Sequence, residues 1–134
     1  MIKPAPVVPT PCCGVYAAFL AHPEPEFEPV FRESKETLGK ANNWQGRMRW
    51  SELVSLLEKF NIQHKCFEML QRRTVGTFAK KHWFDPDTQY VIWINGHFMT
   101  WKNGMIYDQF YPNGTPYQRR PVGRNIIKGI IKIL

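Results

Sequence analysis

The chain has 134 residues, of which 43% are hydrophobic and 22% charged, and this composition excludes an intrinsically disordered protein and a chain of two full domains. Its net charge of +7 favours an acidic partner such as nucleic acid, an anionic membrane face or an acidic protein. The basic residues lie in scattered doublets rather than in one tract, so nucleic acid is a compatible partner but not a favoured one. The doublets are Arg72-Arg73, Lys80-Lys81 and Arg119-Arg120.

The cysteine and hydropathy patterns bear on where the protein works. Cys12 and Cys13 are neighbours, which rarely bridge, and pairing either one with Cys66 would leave one thiol over. A reducing compartment is therefore expected. No segment approaches the ~18 uninterrupted apolar residues of a membrane span, and the N-terminus lacks the continuous apolar region of a signal peptide. We therefore expect a cytoplasmic protein with no membrane partner.

The N-terminal part divides into an arm and a helix. Prolines at positions 4, 6, 9 and 11 predict that residues 1–11 form an extended arm. Thr10 followed by Pro11 is typical of a helix start, with a capping hydroxyl and a proline in the first turn. A mostly buried helix is predicted from Cys12 to Ala21, and residues 12–134 are predicted to form a single domain.

Helical patterns continue through the first half of the chain. A second helix is predicted over 26–38, ending at Gly39. Ser51 is predicted to cap a third helix, because apolar residues from Leu53 to Phe60 recur at the spacing of one helical face. A short strand over 62–69 and a short helix over 74–82 follow.

After residue 87 the sequence takes on β character. Strands are predicted over 90–94 and 98–102, and Asn103-Gly104 is the strongest short-range hairpin signal. Its partner strand is predicted over 105–110, and a last strand over 126–134. Helices first and antiparallel strands after predict an α+β fold.

The hairpin register predicts a chemical pair. With Asn103 and Gly104 in the turn, Met99 is expected opposite Asp108 and His97 opposite Phe110, all on one face of the ribbon. Asp108 is then the diagonal neighbour of His97, at about 7–8 Å between backbones. An imidazole and a carboxylate can close that gap with a hydrogen bond. This is the arrangement of a general base and the acid that orients it.

The nucleophile for such a base must come from elsewhere in the chain. A cysteine at a helix N-terminus suits this role, because unpaired amides and the helix dipole favour the thiolate. Cys12 and Cys13 both meet this condition. The same amides could hold a developing oxyanion, and Gly14 would let a substrate carbonyl approach the backbone.

These segments resemble a known group. Cys13-Gly14-Val15 opening an apolar helix, Gly96-His97-Phe98-Met99-Thr100-Trp101, and Asn103-Gly104-Met105-Ile106-Tyr107-Asp108 are similar to motifs of the papain-like cysteine peptidase superfamily. The similarity is greatest to its compact bacterial and phage members, including bacteriocin-leader peptidases and transglutaminase-like proteins. It covers mainly residues 10–21 and 89–111.

The resemblance implies a papain-like fold, in which N-terminal helices pack on an antiparallel β-sheet, and a cysteine hydrolase. Cys13 would attack a carbonyl and form a thioester, with His97 transferring the proton and Asp108 orienting His97. Thr10, Gly14 and Gly96 would bind the oxyanion or substrate. The implied partner is a peptide or protein substrate, without metal or cofactor, in the host cytoplasm if the protein is phage-encoded. Peptidase is favoured, with isopeptidase, deamidase and acyltransferase left open.

The chain also departs from the papain-like pattern. A glutamine that donates to the oxyanion usually precedes the nucleophile, but Val7 stands at that place here and no Asn or Gln occurs before Asn42. Thr10 is a substitute guess for this donor. Cys12 stands where leader peptidases often have an aspartate, and the choice of Cys13 over Cys12 rests on Gly14 following it.

Two other readings stay open. A structural zinc site would use Cys and His, but His64 and Cys66 are only two residues apart and Cys12-Cys13 lacks the spacing of a metal knuckle. A basic module without enzymatic activity could bind nucleic acid or a host protein through its Arg and Lys doublets.

Most of the tryptophans are expected in the core or in a cleft wall. Trp44 and Trp50, flanked by Arg47 and Arg49, are the pair singled out as a candidate cleft or partner contact.

Overall fold

A computed structural model describes residues 12–69, 71–118 and 122–134. They form four α-helices, six strands and a short 3-10 helix over Val122–Arg124. In chain order the elements are α1 (Cys13–Ala21), α2 (Phe27–Thr37), α3 (Trp50–Lys59), β1 (His64–Glu68), α4 (Val75–Lys80), β2 (Tyr90–Ile94), β3 (His97–Lys102), β4 (Met105–Asp108), β5 (Tyr111–Pro116) and β6 (Gly129–Ile133). The strands make one antiparallel sheet in the order β1-β6-β2-β3-β4-β5. The α+β prediction is confirmed, whereas the predicted arm and Thr10 lie outside the described residues.

Helices α1 and α3 cover one face of the sheet, and α2 packs on these two helices. Helix α1 is central to this layer, because it packs on β3 and also contacts α2 and α3. Seven of its nine residues are buried, as predicted for an apolar helix. Its contacts with α3 and the sheet enclose a core formed by Ala17, Ala18, Leu53, Leu56, Leu57, Val91, Phe98 and Ile131. This packing fixes the start of α1 against the start of β3.

A second core lies on the opposite face of the sheet. It is formed by strand residues that alternate along the chain with those of the first core. Val75 of α4 and Phe84 pack there against Ile92, Met99 and Trp101. The sheet is therefore covered by apolar side chains on both faces, which explains why the β2 run is dense in apolar residues rather than alternating with polar ones. Of the helices in the described parts of the chain, none combines the length and apolar character needed to cross a membrane.

The start of α3 differs from the prediction that Ser51 caps it. The N-cap is Arg49, and the Glu52 carboxylate accepts a hydrogen bond from the Arg49 backbone N–H at 2.9 Å. Ser51 is instead an exposed residue in the first turn. The sequence favoured the Ser51 hydroxyl as the capping group. Instead, the side chain of Glu52, three residues after Arg49, accepts the backbone N–H of the N-cap residue, as in a capping box.

The register of the predicted hairpin is correct near its turn. Asn103 and Gly104 both have positive φ, and Thr100, Trp101 and Lys102 pair with Tyr107, Ile106 and Met105 as expected. A second Asn-Gly turn, Asn95-Gly96, joins β2 to β3, so that β3 begins at His97 rather than at Phe98.

The predicted strand over 105–110 ends early, at Asp108, and the pairing of His97 with Phe110 is wrong. The chain turns because one oxygen of Asp108 accepts the N–H groups of Phe110 and Tyr111, at 2.9 and 3.0 Å. An aspartate that bonds the backbone two and three residues on is a common device for closing a turn. Strand β5 then returns beside β4.

Strand β5 was not predicted, because its sequence contains Pro112, Gly114 and Pro116. Prolines are tolerated here since β5 is an edge strand that pairs with β4 alone. Gly114 has a φ of 87°, and a methyl group on it would come within 2.7 Å of the Tyr107 ring.

Candidate active site

The described residues that resembled a catalytic trio come together at the junction of α1 and β3. The Cys13 thiol, at the first residue of α1, hydrogen bonds to the His97 imidazole, at the first residue of β3. The His97 Nε2 lies 2.7 Å from Asp108 Oδ2. The sequence-predicted contact between His97 and Asp108 is present.

The charge of the sulfur is controlled by its surroundings. Burial alone would raise the pKa of the Cys13 thiol. The hydrogen bond with His97, backbone hydrogen bonds from Phe98 and Gly14 and the charge on His97 outweigh burial, so that the pKa lies below its ordinary value of 9.0. A thiol in this setting forms a thiolate more readily than a free cysteine does.

The imidazole is shifted in the opposite direction. Burial lowers the pKa of His97, but its hydrogen bonds with Asp108 and Cys13, together with their negative charges, raise the pKa to about 9. A lowered cysteine pKa beside a raised histidine pKa favours the thiolate–imidazolium pair over the neutral pair. A negatively charged sulfur and a protonated imidazole therefore lie next to each other.

Both carboxylate oxygens of Asp108 form hydrogen bonds. Oδ2 faces His97, and Oδ1 accepts the two backbone bonds that close the turn between β4 and β5. Only 5% of the residue is exposed. The carboxylate therefore has one orientation, and this fixes the orientation of the imidazole that it bonds.

The neighbouring Cys12 has a different environment. It is fully buried, and its thiol donates a hydrogen bond to the Gln45 carbonyl oxygen at 2.9 Å. Burial and the nearby Cys13 and Glu28 charges raise the pKa of Cys12 to about 11. Cys12 is therefore an anchor for the loop between α2 and α3, and Cys13 is the thiol that reaches the imidazole.

The contact between this loop and Cys12 predicts an effect on stability. Gly46 has a φ of 103°, and a methyl group on it would lie 2.6 Å from the Cys12 sulfur. Gly39 is the matched control, because its φ of 65° also favours glycine but nothing lies within 4 Å. Gly39→Ala is expected to cost about 1–2 kcal/mol. Gly46→Ala is expected to cost about 1–3 kcal/mol more in urea unfolding, and equal costs would contradict this packing.

The structure gives different results for the residues that were predicted to bind the oxyanion or substrate. Gly14 is buried and contributes a backbone hydrogen bond to the sulfur, but the space beside its Cα is filled by Met48, whose sulfur lies 2.7 Å from where a methyl group would stand. It provides room for Met48 rather than an open approach for a carbonyl. Gly96 lines the cleft at the turn before His97, with a φ of 68°. Thr10 lies outside the described residues.

A cleft of about 1110 Å³ opens at Cys13. One wall comes from the segment between α2 and α3 and the first turn of α3, and the other from the strand ends and connections of the sheet. The lining residues are Cys13, Lys40, Trp44, Gln45, Arg47, Met48, Arg49, Trp50, Glu52, Trp93, Gly96, His97, Phe98, Gln109, Phe110 and Lys128. Trp44, Arg47, Arg49 and Trp50, which the sequence singled out, are among them.

Two glutamines and a lysine in this lining were missed by sequence reasoning. Gln45 is fixed near Cys13 through the bond from Cys12, and Gln109 follows Asp108 directly. The papain-like pattern places the second oxyanion donor before the cysteine, whereas these glutamines come from distant segments of the chain. Lys128 gave no motif signal, because its position depends on β6 pairing with β2.

The residues considered for zinc do not form a metal site. His64 bonds the Ile62 carbonyl oxygen through Nδ1 at 2.7 Å, and Cys66 is an exposed residue of β1. Over the described ranges, no group of three or more His, Cys, Asp and Glu side chains is arranged to hold a metal ion.

Comparisons with models of known protein families, with curated proteins and with solved structures found no match to this chain. The resemblance to papain-like cysteine peptidases therefore stays a prediction based on the motifs and on the geometry of the trio.

Proposed function

We propose that the protein is a papain-like cysteine hydrolase that cleaves a peptide or amide bond through a thioester on Cys13. The observation that carries this proposal is the continuous hydrogen-bonded line from the Cys13 thiol through the His97 imidazole to the buried Asp108 carboxylate. A thiol, a base and a third group that orients the base are the parts that thiol acyl transfer requires.

In the proposed reaction the Cys13 thiolate attacks the substrate carbonyl carbon. The oxyanion receives hydrogen bonds from the amides at the start of α1, with the side-chain amide of Gln45 or Gln109 as the second donor from the cleft wall. Protonated His97 gives its proton to the leaving amine, and the acyl group stays on sulfur as a thioester. His97 then removes a proton from water, the hydroxide attacks the thioester, and the carboxylic acid and free thiol are released.

The first test uses the reactivity of the sulfur and needs no known substrate. Iodoacetamide at mildly acidic pH is expected to alkylate Cys13 much faster than Cys66, because the pKa of Cys66 is raised, chiefly by burial. His97→Ala is expected to remove the difference, and peptide mapping by mass spectrometry measures both rates. Equal, slow labelling of both thiols in the wild-type protein would contradict the proposal.

The pH dependence of hydrolysis follows from the two shifted groups. Activity is expected to rise as pH passes through the lowered pKa of Cys13, where the thiolate forms, and to fall as pH passes through about 9, where His97 loses the proton it must donate. Initial rates across this range, with a peptide selected from a proteome-derived library, measure the profile. An activity that keeps rising well above pH 9 would contradict the role of His97 as a proton donor.

A further inference from the structure

The charged side chains around the cleft are not equally available to a substrate. The Glu52 carboxylate forms an ion pair with the Lys40 ammonium and lies 3.6 Å from the Arg49 guanidinium, besides accepting the Arg49 backbone N–H. This network ties the loop wall to α3. Because the negative charge of Glu52 is already compensated, it offers little attraction to a cationic substrate.

Two cations of the lining lie outside that network, one on each wall. Arg47 is exposed on the loop wall, and Lys128 is exposed on the sheet wall, where its backbone N–H bonds the Trp93 carbonyl oxygen at 2.7 Å. Neither side chain forms an ion pair within residues 12–69, 71–118 and 122–134. Their charges therefore remain available to a negatively charged group in the cleft.

An aromatic surface lies beside these charges. The rings of Trp50 and Trp93 stack with centroids 5.1 Å apart, and the Lys128 ammonium lies 5.1 Å from the Trp93 centroid. Trp50 also packs on Gly129, where a methyl group would come within 2.9 Å of its ring. A flat apolar surface with a cation next to it matches a chain segment that carries both an apolar and an acidic side chain.

We propose that the cleft selects acidic peptide segments, with Arg47 and Lys128 pairing with substrate carboxylates while the tryptophan pair packs against an adjacent apolar side chain. This inference rests on the proposed hydrolase function, since it names the substrate class of the same site. The cleft volume of about 1110 Å³ exceeds the ~300–1,000 Å³ of pockets for drug-sized ligands and leaves room for several residues of an extended chain.

The test compares two alkylating agents that are similar in size but differ in charge. Iodoacetate is an anion and iodoacetamide is neutral, so the ratio of their rates at Cys13 reports the charge that the cleft presents, and the ratio at Cys66 in the same molecule is the internal reference. We expect the iodoacetate to iodoacetamide ratio to be about tenfold higher at Cys13 than at Cys66, and to fall when salt is added.

Substitutions separate the two wall cations from the charge of His97. Arg47→Gln and Lys128→Gln are each expected to lower the Cys13 ratio several-fold, and the ratio cancels the effect of either substitution on the reactivity of the thiolate itself. Arg32→Gln and Lys59→Gln, at exposed cations of α2 and α3 outside the lining, are the matched controls and are expected to leave the ratio unchanged. A Cys13 ratio that does not respond to either cleft substitution overturns the inference.

A protection experiment identifies the class of anion. A short peptide of alternating Glu and Phe residues is expected to slow the alkylation of Cys13 in the wild-type protein and less so in Arg47→Gln. Protection by oligothymidylate but not by this peptide overturns the inference in favour of nucleic acid. If Cys13 reacts no faster than Cys66 with neutral iodoacetamide, the hydrolase proposal itself fails. If it reacts fast but shows no charge preference, only the acidic substrate class fails.

Discussion

Cys13→Ala is expected to lower kcat/KM for a library-selected peptide by at least ~10³-fold, because the variant has no atom that can form the thioester. The fold should be unaffected, since Cys13 is only partly buried and Ala is well suited to a helix. Steady-state hydrolysis measures the loss, and circular dichroism with urea unfolding shows that the variant is folded.

Cys12→Ala is the matched control one residue away. It removes the bond to the Gln45 carbonyl oxygen and leaves a small cavity, which is expected to cost about 1–3 kcal/mol of stability, whereas kcat is expected to change little. The reverse pattern, with activity lost in Cys12→Ala and kept in Cys13→Ala, would show that the nucleophile is the other cysteine.

The second large effect is expected at Asp108, where catalysis and stability can be separated. Asp108→Asn keeps an oxygen that can accept the N–H groups of Phe110 and Tyr111, but it removes the charge that stabilises protonated His97. We expect kcat to fall by about 10²–10⁴-fold, with a small change in stability. Asp108→Ala is expected to lose activity and also about 2–4 kcal/mol, because two turn amides lose their acceptor.

A titration of His97 by NMR supplies a readout that a purely structural role of Asp108 would not move. In the wild-type protein the pKa of His97 is expected at about 9, and in Asp108→Asn it should move down toward the ordinary value of 6.5. An Asp108→Asn protein that keeps both full activity and the wild-type His97 titration would contradict the assigned role.

The sequence was sufficient for the contact between His97 and Asp108, because a single dipeptide set the register. Asn103-Gly104 strongly favours a two-residue hairpin turn, and this turn fixes which residues of the two strands face each other. The alternation of side chains then places His97 and Asp108 on the same face of the ribbon. The start of α1 at the cysteine pair was equally accessible, since helix starts and apolar runs have local signals. Local rules therefore identified His97, Asp108 and the cysteine pair, whereas the choice of Cys13 over Cys12 rested on Gly14 and the resemblance.

The end of β4 and strand β5 could not be predicted from such local signals. The strand was expected to continue past Asp108, but the chain turns there. The turn forms because one carboxylate oxygen bonds His97 while the other accepts the Phe110 N–H, and no local sequence signal shows this double use of the side chain. Strand β5 carries Pro112 and Pro116, and strand propensity alone argues against such a sequence. Only its position at the sheet edge makes these residues acceptable.

The cleft was the least predictable part of the molecule. Its loop wall has no helical or strand period, and it is positioned by the contact of Cys12 with Gln45, which are 33 residues apart in the chain. Trp44 and Trp50, flanked by Arg47 and Arg49, were nevertheless predicted as a candidate cleft or partner contact, and they line the cleft. The wall opposite, with Trp93 and Lys128, depends on the strand order of the sheet.

An ultraviolet titration of the Cys13 thiolate, taken as the absorbance difference between the wild-type protein and Cys13→Ala, tests whether His97 favours the ionised sulfur. The pKa of Cys12 is raised to about 11 and that of Cys66 is also raised, so Cys13 is expected to titrate first and alone. We expect a midpoint below 9.0 that moves upward in His97→Ala. A wild-type midpoint at or above 9.0, unchanged by that substitution, would contradict this expectation.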